Sequence, residues 1–154
     1  MATKELNFDT GLVDYTINGC AHVRFNPADI SFTERFYDTF MQLDGQQDEF
    51  QKRIDEIGDD KAEFFAYARE RDYEMRKLID SLFHDGLSDE IFGEMSTYAV
   101  ADGMPLWVNF LFALAQEIRD AYDEEKRKQD PRLKKFDSQH EELLAKYRKA
   151  TTKR

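Results

Sequence analysis

Residues 102–122, DGMPLWVNFLFALAQEIRDAY, form the single long apolar run in an otherwise polar chain. Successive residues of a 3.6-residue helix turn by about 100°, which spreads Trp107, Val108, Phe110, Leu111, Phe112, Leu114, Ala115 and Ile118 over an arc of roughly 200°. Asn109 and Gln116 share the narrow side left over. A surface helix needs a stripe only a little wider than about 100°, so the pattern predicts a core helix wrapped by others on most sides. Asp102-Gly103 reads as a cap and turn before it, and Pro105 as a first-turn proline whose missing N–H costs nothing.

A chain of 154 residues is the size of one domain and can bury a proper core without staples. With 41% hydrophobic, 35% charged and 14% aromatic residues it belongs with soluble, helix-rich globular proteins rather than disordered ones, and thirteen Phe supply most of the large core groups. No charge-free run reaches the ~18 residues of a membrane span, and MATKELNFD lacks the apolar segment of a signal peptide, so a cytoplasmic location is expected. Cys20 is the only cysteine. It fits a reducing compartment and, with no base patterned beside it, a structural role rather than a nucleophilic one.

The net charge of −10 conceals an asymmetry. Residues 1–125 hold 11 Lys and Arg against 28 Asp and Glu, whereas residues 126–154 hold 11 against 4. An acidic body argues against a nucleic-acid-binding domain, since phosphate contacts dominate such affinity. The basic tail reads either as an arm that touches RNA or DNA or, at least as well, as a charged helix that docks on the acidic body of the same or a neighbouring chain.

Along the chain, residues 6–25 alternate and carry β-formers, with Leu12, Tyr15, Ile17, Ala21, Val23 and Phe25 as candidates for buried positions. Asn18-Gly19 between two such segments is a strong hairpin signal, which predicts strands over 11–17 and 20–25. A hairpin alone is marginal in water, so one face must pack on helices or pair with another chain. Asn26-Pro27 ends the second strand, and Ser31 with Glu34 spells a capping box for a helix from Phe32. Its seam of Phe36, Phe40, Leu43, Phe50, Ile54 and Ile57 is heptad-like, with Gly45 expected to bend or divide it. Gly58-Asp59-Asp60 caps the next helix over 61–83, whose apolar side carries Phe64, Phe65, Ala68, Met75, Leu78, Ile79 and Leu82. Arg69, Glu70, Arg71, Asp72, Glu74, Arg76 and Lys77 read as its solvated face. Ser88-Asp89-Glu90 is the expected cap of a short helix with Ile91, Phe92 and Met95. Asp130-Pro131 interrupts the central helix, and Ser138 with Glu141 offers a cap for a last helix over 139–150 carrying Leu143, Leu144 and Tyr147, before a frayed end. The expected fold is mainly α, an N-terminal β-hairpin followed by a bundle of about four to five helices, with 1–130 as hairpin plus bundle and 131–154 as basic tail.

No spacing in the chain spells a reaction. Asp9-Thr10-Gly11 matches the core of the aspartic-protease motif, but a single copy before a hairpin reads as a turn. His22, His84 and His140 are scattered, and no zinc, EF-hand, dinucleotide or P-loop spacing occurs, so neither enzyme activity nor a metal or cofactor is expected. The residues nominated for partner binding are Trp107 and Phe110 on the apolar helix and Val23 and Phe25 on the hairpin, because Trp and Phe dominate interface hot spots and hairpin edges pair with other chains. At helical spacing Trp107 and its neighbours read first as core.

Four segments carry a resemblance: Val-Arg-Phe-Asn-Pro (23–27), Glu-Arg-Asp-Tyr-Glu-Met-Arg-Lys-Leu-Ile-Asp-Ser-Leu-Phe (70–83), Ile-Phe-Gly (91–93) and Ala-Asp-Gly-Met-Pro-Leu-Trp-Val-Asn-Phe (101–110). Over residues 6–120 the chain resembles short proteins from the tail-gene region of phages and prophages of Gram-positive bacteria, and looks like the tail assembly chaperones. The resemblance implies a small, mostly helical, non-enzymatic protein that coats the tape-measure protein until tail-tube subunits replace it, and that forms homo-oligomers. A permanent tube or baseplate adaptor of the tail is the rival expectation. The basic segment beyond Tyr122 lies outside the resemblance.

Overall fold

Asn18 and Gly19, with φ of 51° and 71°, adopt the left-handed conformations that a type I′ turn demands. Together with Cys20 they join β1 (Val13–Ile17) to β2 (Ala21–Phe25) in an antiparallel hairpin whose register runs from Val13 opposite Phe25 to Ile17 opposite Ala21. The computed structural model describes residues 2–128 and 131–152, with side chains for all of these except 131–137 and 150–152. After the hairpin come α1 (Ile30–Ile57), α2 (Lys61–Leu82), α3 (Leu87–Phe92), a second small hairpin of β3 (Val100–Ala101) and β4 (Met104–Pro105), then α4 (Leu106–Arg127) and α5 (Pro131–Thr152). The fold is thus mainly α with an N-terminal β-hairpin, as the sequence predicts.

Two compact units divide the chain, Met1–Ala121 and Tyr122–Arg154. Residues 129 and 130, where the sequence places an interruption, lie outside the described residues.

In the first unit the hairpin buries one face. Ala21, Val23 and Phe25 alternate inward along β2, while Tyr15 and Ile17 are half-buried and Leu12 is exposed. Phe25 meets Tyr15 at 4.9 Å between ring centres, Phe32 at 4.6 Å and Phe83 at 5.3 Å, so one aromatic knot ties the hairpin to α1 and to the end of α2. A second knot stacks Phe50 on Tyr98, 5.5 Å apart, and sets Tyr98 against Trp107 at 6.2 Å.

Helix starts differ from expectation in an instructive way. Asn26 accepts from the backbone N–H of Ala28 through its side chain and from that of Asp29 through its carbonyl, and this turn delivers Asp29 to the N-cap, where its carboxylate takes the Ser31 N–H at 3.0 Å. Asp29, not Ser31, therefore caps α1. Gly45 does not divide it: 28 residues run unbroken from Ile30 to Ile57 with Phe32, Phe36, Leu43 and Ile57 buried. Asp60 caps α2 by accepting from the Glu63 N–H, as the sequence indicates. Ser88 lies inside α3 rather than at its cap, which is Gly86 at φ 86°. In the second unit, α5 begins at Pro131, a residue suited to the first helical position. Ser138 and Glu141 consequently sit within α5, which stays helical through Thr152.

The largest departure concerns the start of α4. Asp102 and Gly103 have φ of 56° and 77° and form a two-residue type I′ turn pairing Ala101 with Met104. Pro105 thus belongs to a strand, not to the first helical turn. Within α4 the buried residues are Trp107, Val108, Leu111, Leu114 and Ile118, an arc of about 120° at 100° per residue. Phe112 is 53% exposed, so α4 is an ordinary amphipathic helix laid on one side of the core rather than a wrapped central one.

Candidate functional site

The hairpin and α4 face each other across a cleft of about 580 Å³. From β2 come Val23 and Phe25, from α4 Phe110 and Leu114, and from the α3 segment Ile91 and Phe92. The hairpin supplies its wall because period-two alternation puts Val23 and Phe25 on one face. The helix supplies the facing wall because Phe110, Leu114 and Glu117 recur at spacings of four and three. Such a largely apolar cleft with few polar groups has the make-up of a pocket for apolar side chains.

One polar contact closes its rim. Tyr15 donates its phenolic O–H to Glu117 Oε1 at 2.8 Å, bridging β1 to α4. Burial, and then the carboxylate beside it, pushes the Tyr15 phenol above its ordinary range, so it stays a neutral donor at any physiological pH. Asn109 also borders the cleft, and its side-chain amide donates to the Ala101 carbonyl at 2.9 Å, tying α4 to the second hairpin.

Three of the four nominated residues, Val23, Phe25 and Phe110, therefore meet in one cleft. Trp107 does not line it. Its ring is only 7% exposed and packs on Tyr98, which is the core placement, and its Nε1 is buried without a hydrogen-bond partner. The sequence reading missed Tyr15 and Glu117 as a pair. Glu117 lies on the same stripe as Phe110 and Leu114, and a carboxylate at the end of an apolar stripe is the signal that marked it.

A polar clamp holds the α3 wall in place. On α2, Asp72, Arg76 and Asp80 recur every four residues. Asp72 accepts from both the N–H and the hydroxyl of Thr97, each at 2.7 Å, and from Arg76 Nε at 3.0 Å. Arg76 also donates to Asp89 and to the carbonyls of Gly93 and Met95. Asp80 accepts from the N–H groups of Gly86 and Ser88. Asp72 and Arg76, which the sequence places on a solvated face, instead join Asp80 in binding the 86–97 segment, and the Arg76 side chain is only 14% exposed.

On the opposite face of the hairpin, Asp14 and Arg24 are directly opposed and form a two-pronged pair at 2.6 and 3.2 Å. The hydrogen bond from Arg24 holds the Asp14 carboxyl below its ordinary range. Asp9 Oδ1 accepts from the Gly11 N–H at 2.8 Å, the local turn expected for Asp9-Thr10-Gly11. Cys20 is exposed, and its thiol lies 3.5 Å from the Ile17 carbonyl. Among the described residues no group of three or more His, Cys, Asp or Glu side chains is placed to hold a metal ion, and no helix is long and apolar enough to cross a membrane.

No protein-family model matches the sequence. No curated protein and no solved structure is significantly similar to it.

Proposed function

We propose that this chain is a non-enzymatic phage tail assembly chaperone that receives apolar side chains of the tape-measure protein in the cleft between the N-terminal hairpin and α4. The observation that carries this reading is the cleft itself: about 580 Å³ walled by Val23, Phe25, Phe110, Leu114, Ile91 and Phe92, with the Tyr15–Glu117 pair as its polar edge. The four sequence segments that resemble the tail-region proteins support the same reading, and three of them contribute cleft residues. A chaperone that tail-tube subunits must displace has to hold each site modestly and gain strength by repetition along its partner. A shallow apolar cleft is suited to that task.

The test is a pull-down from infected cells with the wild-type chain and with Phe110→Asp, which places a charge on the cleft wall at a half-buried position. Wild type should recover the tape-measure protein, and the variant, checked for a native circular dichroism spectrum, should not. Mass spectrometry of purified virions separates the rival reading, a tube or baseplate adaptor, since a chaperone leaves the particle and an adaptor stays in it.

A further inference from the structure

One wall of the cleft between the hairpin and α4 is a strand edge. β2 borders the cleft with alternate residues, Val23 and Phe25, whereas β1 borders it with the successive residues Tyr15, Thr16, Ile17 and Asn18. Side chains alternate across a strand, so β2 presents a face and β1 an edge, where backbone groups stand beside the cleft. Among the described residues β1 pairs with β2 alone. An open edge next to apolar pockets suits an extended segment that bonds to the edge through its backbone and sends alternate side chains into the pockets. Among the described residues Glu117 is the one charged side chain at the cleft. Its Oε1 takes the Tyr15 hydroxyl, and it is in no ion pair among those residues.

A segment of that kind precedes the hairpin. Residues 2–12 are neither helix nor strand. Within them Lys4, Leu6 and Phe8 recur at every second position, so an extended backbone puts a cation and two apolar groups on one side. Leu6 and Phe8 are 89% and 82% exposed. Lys4 is exposed too and is in no ion pair among the described residues. This side of the arm complements the cleft, apolar groups against apolar walls and an ammonium for the carboxylate at the rim.

The joint between arm and hairpin decides whose cleft is filled. The Thr10 carbonyl accepts from Asn26 Nδ2 at 3.0 Å, and the Gly11 N–H donates to Asp9 at 2.8 Å. Gly11 turns at φ 72° so close to Asn26 that a Cβ on it would lie 2.7 Å from Asn26 Nδ2. These contacts fix the arm at the open end of the hairpin, across from Asn18-Gly19, on a path that leaves Leu6 and Phe8 off the protein's own surface. To fill its own cleft the chain must undo that joint, whereas a neighbour's cleft requires no change in it. We infer that residues 4–8 of one copy add along β1 in the cleft of a second copy, with Leu6 and Phe8 between the apolar walls and Lys4 at Glu117. An arm of a few residues is a small contact beside the ~1,000 Å² of a stable interface, so the association is reversible and concentration-dependent.

Two full-length variants test it, each altered only at exposed positions. Sedimentation velocity on wild type should show mass rising with concentration. Leu6→Gln/Phe8→Gln should associate at least about tenfold more weakly, the scale for replacing buried apolar side chains by polar ones. Lys4→Glu should do so roughly two- to fivefold at low salt, where the charges are least screened. Circular dichroism and melting of both should match wild type, which ties any loss to the contact rather than to folding. Cys20 locates the contact, because its thiol is exposed and 3.9 Å from the carbonyl of Ile91, which lines the cleft. In NMR of a mixture, a nitroxide on Cys20 of one copy should broaden amides 4–8 of an isotope-labelled copy carrying Cys20→Ser. A wild type that is monomeric at all concentrations, either variant associating as wild type does, or amides 4–8 that stay sharp would each overturn the assignment. The contact is independent of the tape-measure reading: self-association without capture of that protein sinks the reading alone, and capture by a chain that stays monomeric sinks the contact alone.

Discussion

Asp72 takes both the backbone N–H and the hydroxyl of Thr97, at 2.7 Å each, and so pins a residue 25 positions further along the chain to the middle of α2. Burial pushes the Asp72 carboxyl up, but the two bonds from Thr97 and the one from Arg76 together outweigh it, and the group titrates below the ordinary carboxylate range. Asp72→Ala removes one of the two carboxylates that pair with Arg76 and leaves Thr97 with two unmet donors, which should cost about 2–4 kcal/mol in urea unfolding. Because the folded pKa lies below the unfolded value of about 3.9, this contribution is present above that pH and is lost as pH falls through the folded value. Wild-type stability should therefore drop below about pH 4 more steeply than that of the variant.

Trp107 separates shape from hydrogen bonding. Truncation to Ala should cost about 3–5 kcal/mol, the scale for emptying an aromatic core position. Trp107→Phe should cost much less, since the buried Nε1 has no partner to lose. Comparable losses for the two variants in thermal melts would show that the indole N–H is satisfied after all.

His84 faces two carbonyls, Asp85 O at 3.1 Å from Nδ1 and His22 O at 3.5 Å from Nε2. Only the doubly protonated ring donates from both nitrogens. The bond to Asp85 raises the His84 pKa; burial opposes it, and the bond to His22 with the nearby carboxylates of Glu90 and Asp80 adds to the rise. Its stabilisation is complete below the unfolded value of about 6.5 and is lost as pH rises through the higher folded value. NMR titration should place His84 above the ordinary imidazole value of about 6.5, and the His84→Gln variant should flatten the stability profile above pH 6.

Gly45→Ala should raise the stability of the dilute protein by about 1 kcal/mol, because the position is helical, exposed and unobstructed. Chemical denaturation at low protein concentration measures this apart from any association.

Periodicity made the elements legible and local chemistry set their limits. The seam of α1, the Asp60 cap of α2 and the Asn18-Gly19 turn all stand in the sequence, because each rests on neighbours within one or two helical turns. Asp102-Gly103 carried the same hairpin signal as Asn18-Gly19, but with only two residues in each flanking strand the apolar run beyond it dominated the reading. Exposure on α4 was equally hidden: Phe112 and Leu111 are alike in hydropathy, and only the limited reach of the neighbouring elements leaves one exposed and the other covered. For the same reason Val23, Phe25 and Phe110 could be nominated singly, while the cleft that gathers them depends on a hairpin meeting a helix some 85 residues away. Asp72 and Arg76 look like solvated charges in the sequence because an i,i+4 pair on a helix is the same whether water or a loop lies above it.

The onset of α4 has a bearing on how the molecule breathes. The first amides of a helix ordinarily lack intrahelical acceptors and exchange with solvent early. Here the Leu106 N–H is bound by the Ala99 carbonyl at 2.8 Å and the Trp107 N–H by the Thr97 carbonyl at 3.0 Å, and Thr97 is itself held by Asp72. The beginning of α4 is thereby latched through one residue to the centre of α2, and its leading amides open only when that latch lets go. Hydrogen exchange should therefore find the Leu106 and Trp107 amides better protected than the leading amides of an unlatched helix.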